Sequence, residues 1–128
     1  MRTVRVLRSL MILYGAASLV HFVHNGVYLH EYPNLPGWIT SFGVYASWCV
    51  IAGIGVLGYW MYTRGSRALG LTAVAVYALL GYGGLDHYTL APAGAHSLAM
   101  NVTIWGEVVT ASVLLLFIAW QAVPNRLP

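Results

Sequence analysis

The stretch SLAMNVTIWGEVVTASVLLLFIAWQAV, residues 97–123, decides the fold of this chain. At a rise of about 1.5 Å per residue, an α-helix of this length crosses the roughly 30 Å hydrocarbon core of a bilayer. Its only acidic or basic residue is Glu107. Because the run is long, apolar and free of polar alternation, it predicts a transmembrane helix and excludes a barrel strand.

Three earlier apolar runs predict membrane spans at about residues 9–29, 38–62 and 68–82. The third of these is short. We expect it to reach the membrane surface through an irregular segment that contains Gly81, Gly83 and Gly84. Short connections make neighbouring helices antiparallel. The sequence therefore predicts an all-α integral membrane protein, a single domain over residues 1–128 with four transmembrane helices in an up-down-up-down bundle.

The composition supports a membrane protein and excludes several other classes. Of the 128 residues, 59% are hydrophobic and 7% are charged, whereas an ordinary soluble domain carries roughly a quarter charged residues. The chain has too few charged residues to cover the surface of a soluble domain. The lone Cys49 excludes an internal disulfide framework and a CxxC redox pair.

All basic side chains are arginines, and their placement predicts the orientation. They precede the first span, lie between the second and third, or follow the fourth: Arg2, Arg5, Arg8, Arg64, Arg67 and Arg126. By the positive-inside rule, this side and both termini are cytoplasmic. The basic balance thus reflects topology and not nucleic-acid binding, and we expect an uncleaved first helix in a bacterial-type inner or plasma membrane.

The histidines and carboxylates follow the opposite pattern. His21, His24, His30, Glu31, Asp86, His87 and His96 all fall in the predicted extracytoplasmic half or its loops. Glu107 alone lies near the bilayer centre, about 15 Å below the start of its span. On span 1, His21, His24 and Tyr28 share one helical face with Asn25 at its edge. We expect this face to point inward, because a polar group facing lipid costs roughly 2–4 kcal/mol.

A second polar stripe follows span 4. His96, Met100, Thr103, Glu107 and Thr110 fall close to one line along this helix. Glu107 is expected to meet Thr103 on its own helix and His21 across the bundle. Asn101 lies about 120° away from Glu107 and is expected to serve a different neighbour.

These residues suggest a cofactor site beneath the outer rim. Imidazoles and a carboxylate suit Cu, Zn or Fe, and the metal ligands would be His21, His24, His96 and Glu107. A non-covalent b-type haem would instead take two facing histidines from His21, His24, His87 and His96. The paired Glu-x-x-His motifs of a dinuclear site are absent from the sequence.

Three classes of function remain open from the sequence. The first is a metal- or haem-binding membrane protein. The second is a non-catalytic accessory subunit or structural bundle, in contact with a membrane-protein partner or a second copy. The third is a proton- or ion-coupled carrier or sensor that uses Glu107. No catalytic residue is predicted, and the His-rich boxes of membrane desaturases are missing.

Overall fold

A computed structural model describes residues 2–123, and within this range the chain is helical without strands. Arg126 and Pro124, which the sequence assigns to the cytoplasmic side and to the end of span 4, lie outside the described residues. Five α-helices follow one another: α1 (Arg2–Val27), α2 (Ser41–Thr63), α3 (Arg67–Leu80), α4 (His87–Leu90) and α5 (Leu98–Ala122). Short 3-10 helices cover Leu29–Glu31, Gly81–Asp86 and Ala93–Ala95.

Four helical stretches are long and apolar enough to cross a membrane: Arg2–Val27, Ser41–Thr63, Arg67–Leu90 and Leu98–Ala122. This confirms the all-α prediction and the four predicted spans, and it fits a small integral membrane protein. The first helix begins at Arg2, ahead of the predicted residue 9. The third stretch continues to Leu90, well beyond the predicted end at residue 82.

The third span is long because its glycine-rich part stays helical. α3 passes into the 3-10 helix Gly81–Asp86 and then into α4. With three residues per turn, Gly81 and Gly84 share one face of this segment. A Cβ added at Gly81 would lie 2.7 Å from the Tyr14 ring, and one at Gly84 would lie 3.3 Å from Glu107 Oε2. The glycines therefore let this segment approach α1 and α5 closely.

Local hydrogen bonds define where the helices begin. The Thr40 hydroxyl accepts a hydrogen bond from the Gly43 amide at the start of α2, and Ser97 does the same for the Met100 amide in α5. Such caps satisfy amide groups that have no partner inside the helix. The Asn34 amide donates to the Leu90 carbonyl at 2.9 Å, which ties the loop after α1 to the end of α4.

The apolar core lies between the helices, where α2 packs most closely with α3 and α1 with α5. Its buried members come from four helices: Leu7, Tyr14, Tyr62, Leu71, Val74, Tyr77, Ala78, Ala111, Leu114 and Ile118. Small residues permit the closest approach, as expected of helix contacts inside a membrane. A Cβ added at Gly58 would lie 2.9 Å from the backbone nitrogen of Val74.

We expect Gly58→Ala to destabilise the bundle by about 1–3 kcal/mol, because the added methyl group must push the α3 backbone away. Gly53→Ala, in the same helix, is the matched control. An added Cβ meets nothing within 4 Å at Gly53, so this change should stabilise α2 by about 0.5–1 kcal/mol. Unfolding with a denaturing detergent measures both, and equal effects would contradict the close α2–α3 contact.

Candidate functional site

The candidate site is centred on Glu107, which projects from the middle of α5 and is 1% exposed. Its Oε2 atom lies 3.7 Å from Nε2 of His21 on α1. Neither carboxylate oxygen has a partner at hydrogen-bonding geometry among residues 2–123, and the Ser18 hydroxyl on α1 is a further polar neighbour of the carboxylate. The expected contact with His21 is confirmed, whereas Thr103 is bonded elsewhere.

The tautomer of neutral His21 follows from its other neighbour. Nδ1 of His21 lies 3.3 Å from the Thr103 hydroxyl, and that hydroxyl donates its own hydrogen to the Met100 carbonyl at 3.0 Å. The Thr103 oxygen therefore accepts, and His21 Nδ1 carries the hydrogen. In the neutral ring this leaves Nε2, the atom facing Glu107, as an acceptor.

Asn25 connects two imidazoles through one amide nitrogen. Its Nδ2 lies 3.1 Å from His21 Nε2 and 3.3 Å from His87 Nε2. An amide nitrogen is only a donor, so both ring nitrogens are acceptors in this arrangement. Asn25 Oδ1 is buried without a partner. Rotation of the amide would exchange the two atoms and suit rings that are protonated at Nε2.

The outer part of the site surrounds Tyr32. The Tyr32 hydroxyl lies 2.8 Å from Nδ1 of His24, and its ring lies 4.7 Å from the His87 ring. Tyr32 itself is 4% exposed, and this burial raises the pKa of its phenol to about 12. His96 is buried beside these rings, with Nδ1 at 3.1 Å from the Pro92 carbonyl.

Unpaired polar atoms are concentrated in this region. The buried side-chain atoms without a hydrogen-bond partner, among the described residues, are Ser18 Oγ, Asn25 Oδ1, His96 Nε2 and both Glu107 oxygens. An unpaired buried polar atom costs about 1–3 kcal/mol. These atoms belong to one polar region close to His87 and Tyr32. The free-energy cost of unpaired buried polar atoms is therefore concentrated at this site.

The predicted polar stripes differ from the observed ones in detail. On α1 the buried pair is His21 and Asn25, whereas His24 is half-buried and Tyr28 is 44% exposed. As predicted, Met100 and Glu107 are buried on α5 and His96 is buried in the loop before it, and Asn101 accepts a hydrogen bond from Tyr88 as a separate neighbour. Outside the site, the side chains of His30, Glu31 and Asp86 are exposed.

Sequence reasoning missed three participants, Tyr14, Ser18 and Tyr32. Tyr14 and Ser18 are fully buried on the same side of α1 as His21 and Asn25. The spacing Tyr14, Ser18, His21 and Asn25 is four, three and four residues, which is the period of one helix face. This pattern was visible in the sequence. Tyr32 directly follows the 3-10 helix Leu29–Glu31, and its inward position depends on tertiary structure.

The cofactor ligands predicted from the sequence do not form a metal site here. Among residues 2–123, no three His, Cys, Asp or Glu side chains are grouped so that they can hold a metal ion. The predicted b-type haem would need two imidazoles on opposite faces of its iron. In this structure the His21 and His87 rings meet edge to face at 5.6 Å, and His87 meets His96 at 6.1 Å. The described residues therefore show no metal-binding group and do not support a haem.

No protein-family model, curated protein or solved structure matches this chain. The site has to be interpreted from its own geometry.

We expect Tyr32→Phe to lower the free energy of unfolding by about 0.5–1.5 kcal/mol at neutral pH, since it removes the hydrogen bond to His24. The folded phenol ionises near pH 12, and an unfolded one ionises near pH 10. The contribution of Tyr32 is therefore complete below about pH 10 and is lost as the pH rises through 12. The gap between the two proteins should close and then change sign over that range in detergent unfolding, because a pKa difference of two units outweighs one such hydrogen bond.

Tyr28→Phe is the control for this experiment, because the Tyr28 hydroxyl makes no hydrogen bond with residues 2–123 and its side chain is exposed. It should leave the stability unchanged at neutral pH. A wild type that stays ahead of Tyr32→Phe by the same margin at pH 12 would contradict the assigned ionisation.

Proposed function

We propose that this chain is a proton-responsive membrane protein, in which the His21–Glu107 pair takes up a proton that enters from the extracytoplasmic side. The observation that carries the proposal is the 3.7 Å approach of Glu107 Oε2 to His21 Nε2, with no hydrogen-bond partner for either carboxylate oxygen within residues 2–123. An intramembrane carboxyl group of this kind is by default a functional group. The proposed bundle is up-down-up-down, with both termini cytoplasmic.

The chemistry of the pair favours a proton as its ligand. Without one, the acceptor atom His21 Nε2, whose lone pair takes a hydrogen bond from Asn25 Nδ2, lies 3.7 Å from the negative oxygen of Glu107, and this contact is unfavourable. One added proton, once Asn25 releases Nε2, makes either a carboxyl group that donates to an imidazole or an imidazolium paired with a carboxylate. Both forms are attractive. Proton binding therefore changes the sign of the Glu107–His21 interaction.

Asn25 gives the pair a connection to the outer rim. Its amide nitrogen faces Nε2 of both His21 and His87. A proton on either nitrogen requires Asn25 to present Oδ1 instead, and the rotated amide then disfavours the unprotonated form of the other ring. Protonation of the half-buried His87 is thereby linked to that of His21. The link operates through orientation and needs no proton transfer through the amide.

One-sided access favours a sensor over a carrier. His24 and His87 are half-buried and lie on the outer side of His21. By contrast, no Asp, Glu, Lys, Arg or His separates Arg8 from His21 on α1, and none follows Glu107 on α5. A proton carrier needs a path to both faces of the membrane. The residues present supply such groups on one side of the pair only.

Two contacts support the proposed antiparallel order. The Ser41 hydroxyl at the start of α2 donates to the Gly26 carbonyl near the end of α1, at 2.7 Å. At the other end of the bundle, Arg67 at the start of α3 donates to Gln121 near the end of α5, at 2.8 Å. The orientation itself follows from the arginines through the positive-inside rule.

We expect a cysteine at position 66 to react with a membrane-impermeant maleimide only after the cells are permeabilised, and one at position 94 to react in intact cells. Ser66→Cys and Gly94→Cys would be made in a Cys49→Ala background, since Cys49 is exposed. Ser66 makes no capping hydrogen bond and a Cβ at Gly94 meets nothing within 4 Å. The reverse labelling pattern would contradict the cytoplasmic placement of the termini.

We expect infrared difference spectra of the reconstituted protein to show a carboxyl C=O band that changes with external pH and is lost in Glu107→Gln. The chain has only three acidic side chains. The other two, Glu31 and Asp86, are exposed, so Glu31→Gln and Asp86→Asn are matched controls that should keep the band. Asn25→Ala should keep it as well, but shift the pH at which it changes.

Spectra that are the same in Glu107→Gln and wild type at every pH would overturn the proposal and leave a structural or accessory bundle. Proteoliposomes loaded with a pH-sensitive dye separate a sensor from a carrier. The sensor should not accelerate proton entry over empty vesicles, and acceleration that Glu107→Gln abolishes would establish the carrier. Stoichiometric metal or a haem absorption band removed by His21→Ala would replace the proton with a cofactor.

A further inference from the structure

A groove on the membrane-facing side of the bundle lies between α1 and α2, away from the polar site. It has a volume of about 450 Å³ and is open along its length. Its walls contain Gly15 and Ala16 from α1 and Ala52 and Gly55 from α2, and Tyr77 of α3 forms its floor. Such a volume lies within the range of small-molecule sites, roughly 300–1,000 Å³.

The two helices are in direct contact beyond one end of the groove. Near the end of α1, Ser41 donates to the Gly26 carbonyl, and Gly26 packs tightly against Tyr45. The groove runs from Arg8 to Leu19 along α1 and from Tyr59 to Trp48 along α2. Eleven residues of helix correspond to about 16 Å, or half of the roughly 30 Å hydrocarbon core. The groove therefore spans one leaflet.

Two polar side chains stand at the interfacial end of this groove. Arg8 is exposed and Tyr59 is half-buried, and neither side chain has a hydrogen bond or ion pair with another residue among 2–123. Arg67, beside a second groove, differs because it already bonds Gln121. An arginine places its stem along apolar surface and its charge at the headgroup level, where it is a strong ligand for phosphate.

We propose that this groove is a binding site for an anionic phospholipid of the cytoplasmic leaflet, with the phosphate at Arg8 and Tyr59 and one acyl chain between α1 and α2. Charge complementarity comes from Arg8, and the one-leaflet length matches a single acyl chain. A second copy of the chain would pack a whole transmembrane helix against this face. Such a helix needs a contact surface that continues through both leaflets. The closed outer end, at Gly26 and Tyr45, does not offer that contact.

The test is native mass spectrometry of the full chain in mild detergent, titrated with dioleoyl-phosphatidylglycerol or dioleoyl-phosphatidylcholine. We expect one phosphatidylglycerol to bind roughly fivefold more tightly than phosphatidylcholine. This ratio corresponds to the attraction between one arginine at the membrane surface and an anionic headgroup. Arg8→Gln should remove this preference. Arg5→Gln is the matched control, because Arg5 is exposed on the same helix and does not line the groove.

A second pair of variants tests the apolar part. Ala16→Phe should fill the groove and weaken both lipids at least fivefold, whereas Leu13→Phe, at an exposed position that does not line the groove, should bind as wild type. The proposal is overturned if Arg8→Gln and Arg5→Gln behave alike, or if folded Ala16→Phe retains the lipid. A dimer that Ala16→Phe disrupts would assign the groove to a second copy instead. Should Ala16→Phe fail to fold, Ala52→Phe fills the same groove from α2.

Discussion

The contact between Glu107 and His21 constrains the rest of the polar half of this bundle. A carboxyl group near the bilayer centre must lie inside the protein, because lipid offers it no hydrogen bond. Its nearest basic group is His21 Nε2 at 3.7 Å. Bringing these atoms together fixes the rotation of α1 and α5 relative to each other, so the positions of Ser18, Asn25 and Met100 follow from it.

The glycine-rich segment Gly81–Asp86 covers the Glu107–His21 pair on the side that α1 and α5 leave open. Gly84 stands over the pair, 3.3 Å from Glu107 and 3.5 Å from His21 when measured from an added Cβ. An added Cβ would require Glu107 to give way by a few tenths of an ångström, and a longer side chain would meet the pair itself. The 3-10 helix then places His87, three residues after Gly84, against Asn25. The third span is thus irregular at the point where it covers the buried acid.

Much of this arrangement was predictable from the sequence. The sequence did not determine the rotation of each helix about its own axis, and therefore which side chains point inward. Apolar run lengths identified four helices that could span a membrane, and the polar stripe along the fourth run predicted the buried positions of His96, Met100 and Glu107. On α1 the same reasoning placed His24 and Tyr28 on the inward face. The side chains that are buried there include Ser18 and Asn25 instead. The groups that surround the pair come from four separate segments. No single-helix pattern reveals which ring meets which amide.

The two proposed sites occupy opposite halves of the bundle, and Tyr77 touches the elements of both. Its side chain forms the floor of the groove, where its hydroxyl lies against Gly15. Its backbone carbonyl accepts a hydrogen bond from Tyr14, one turn below Ser18 on the helix that carries His21. The groove and the polar site therefore lie along the same helix, α1, and the hydrogen bond from Tyr14 to the Tyr77 carbonyl holds α1 against α3 between them.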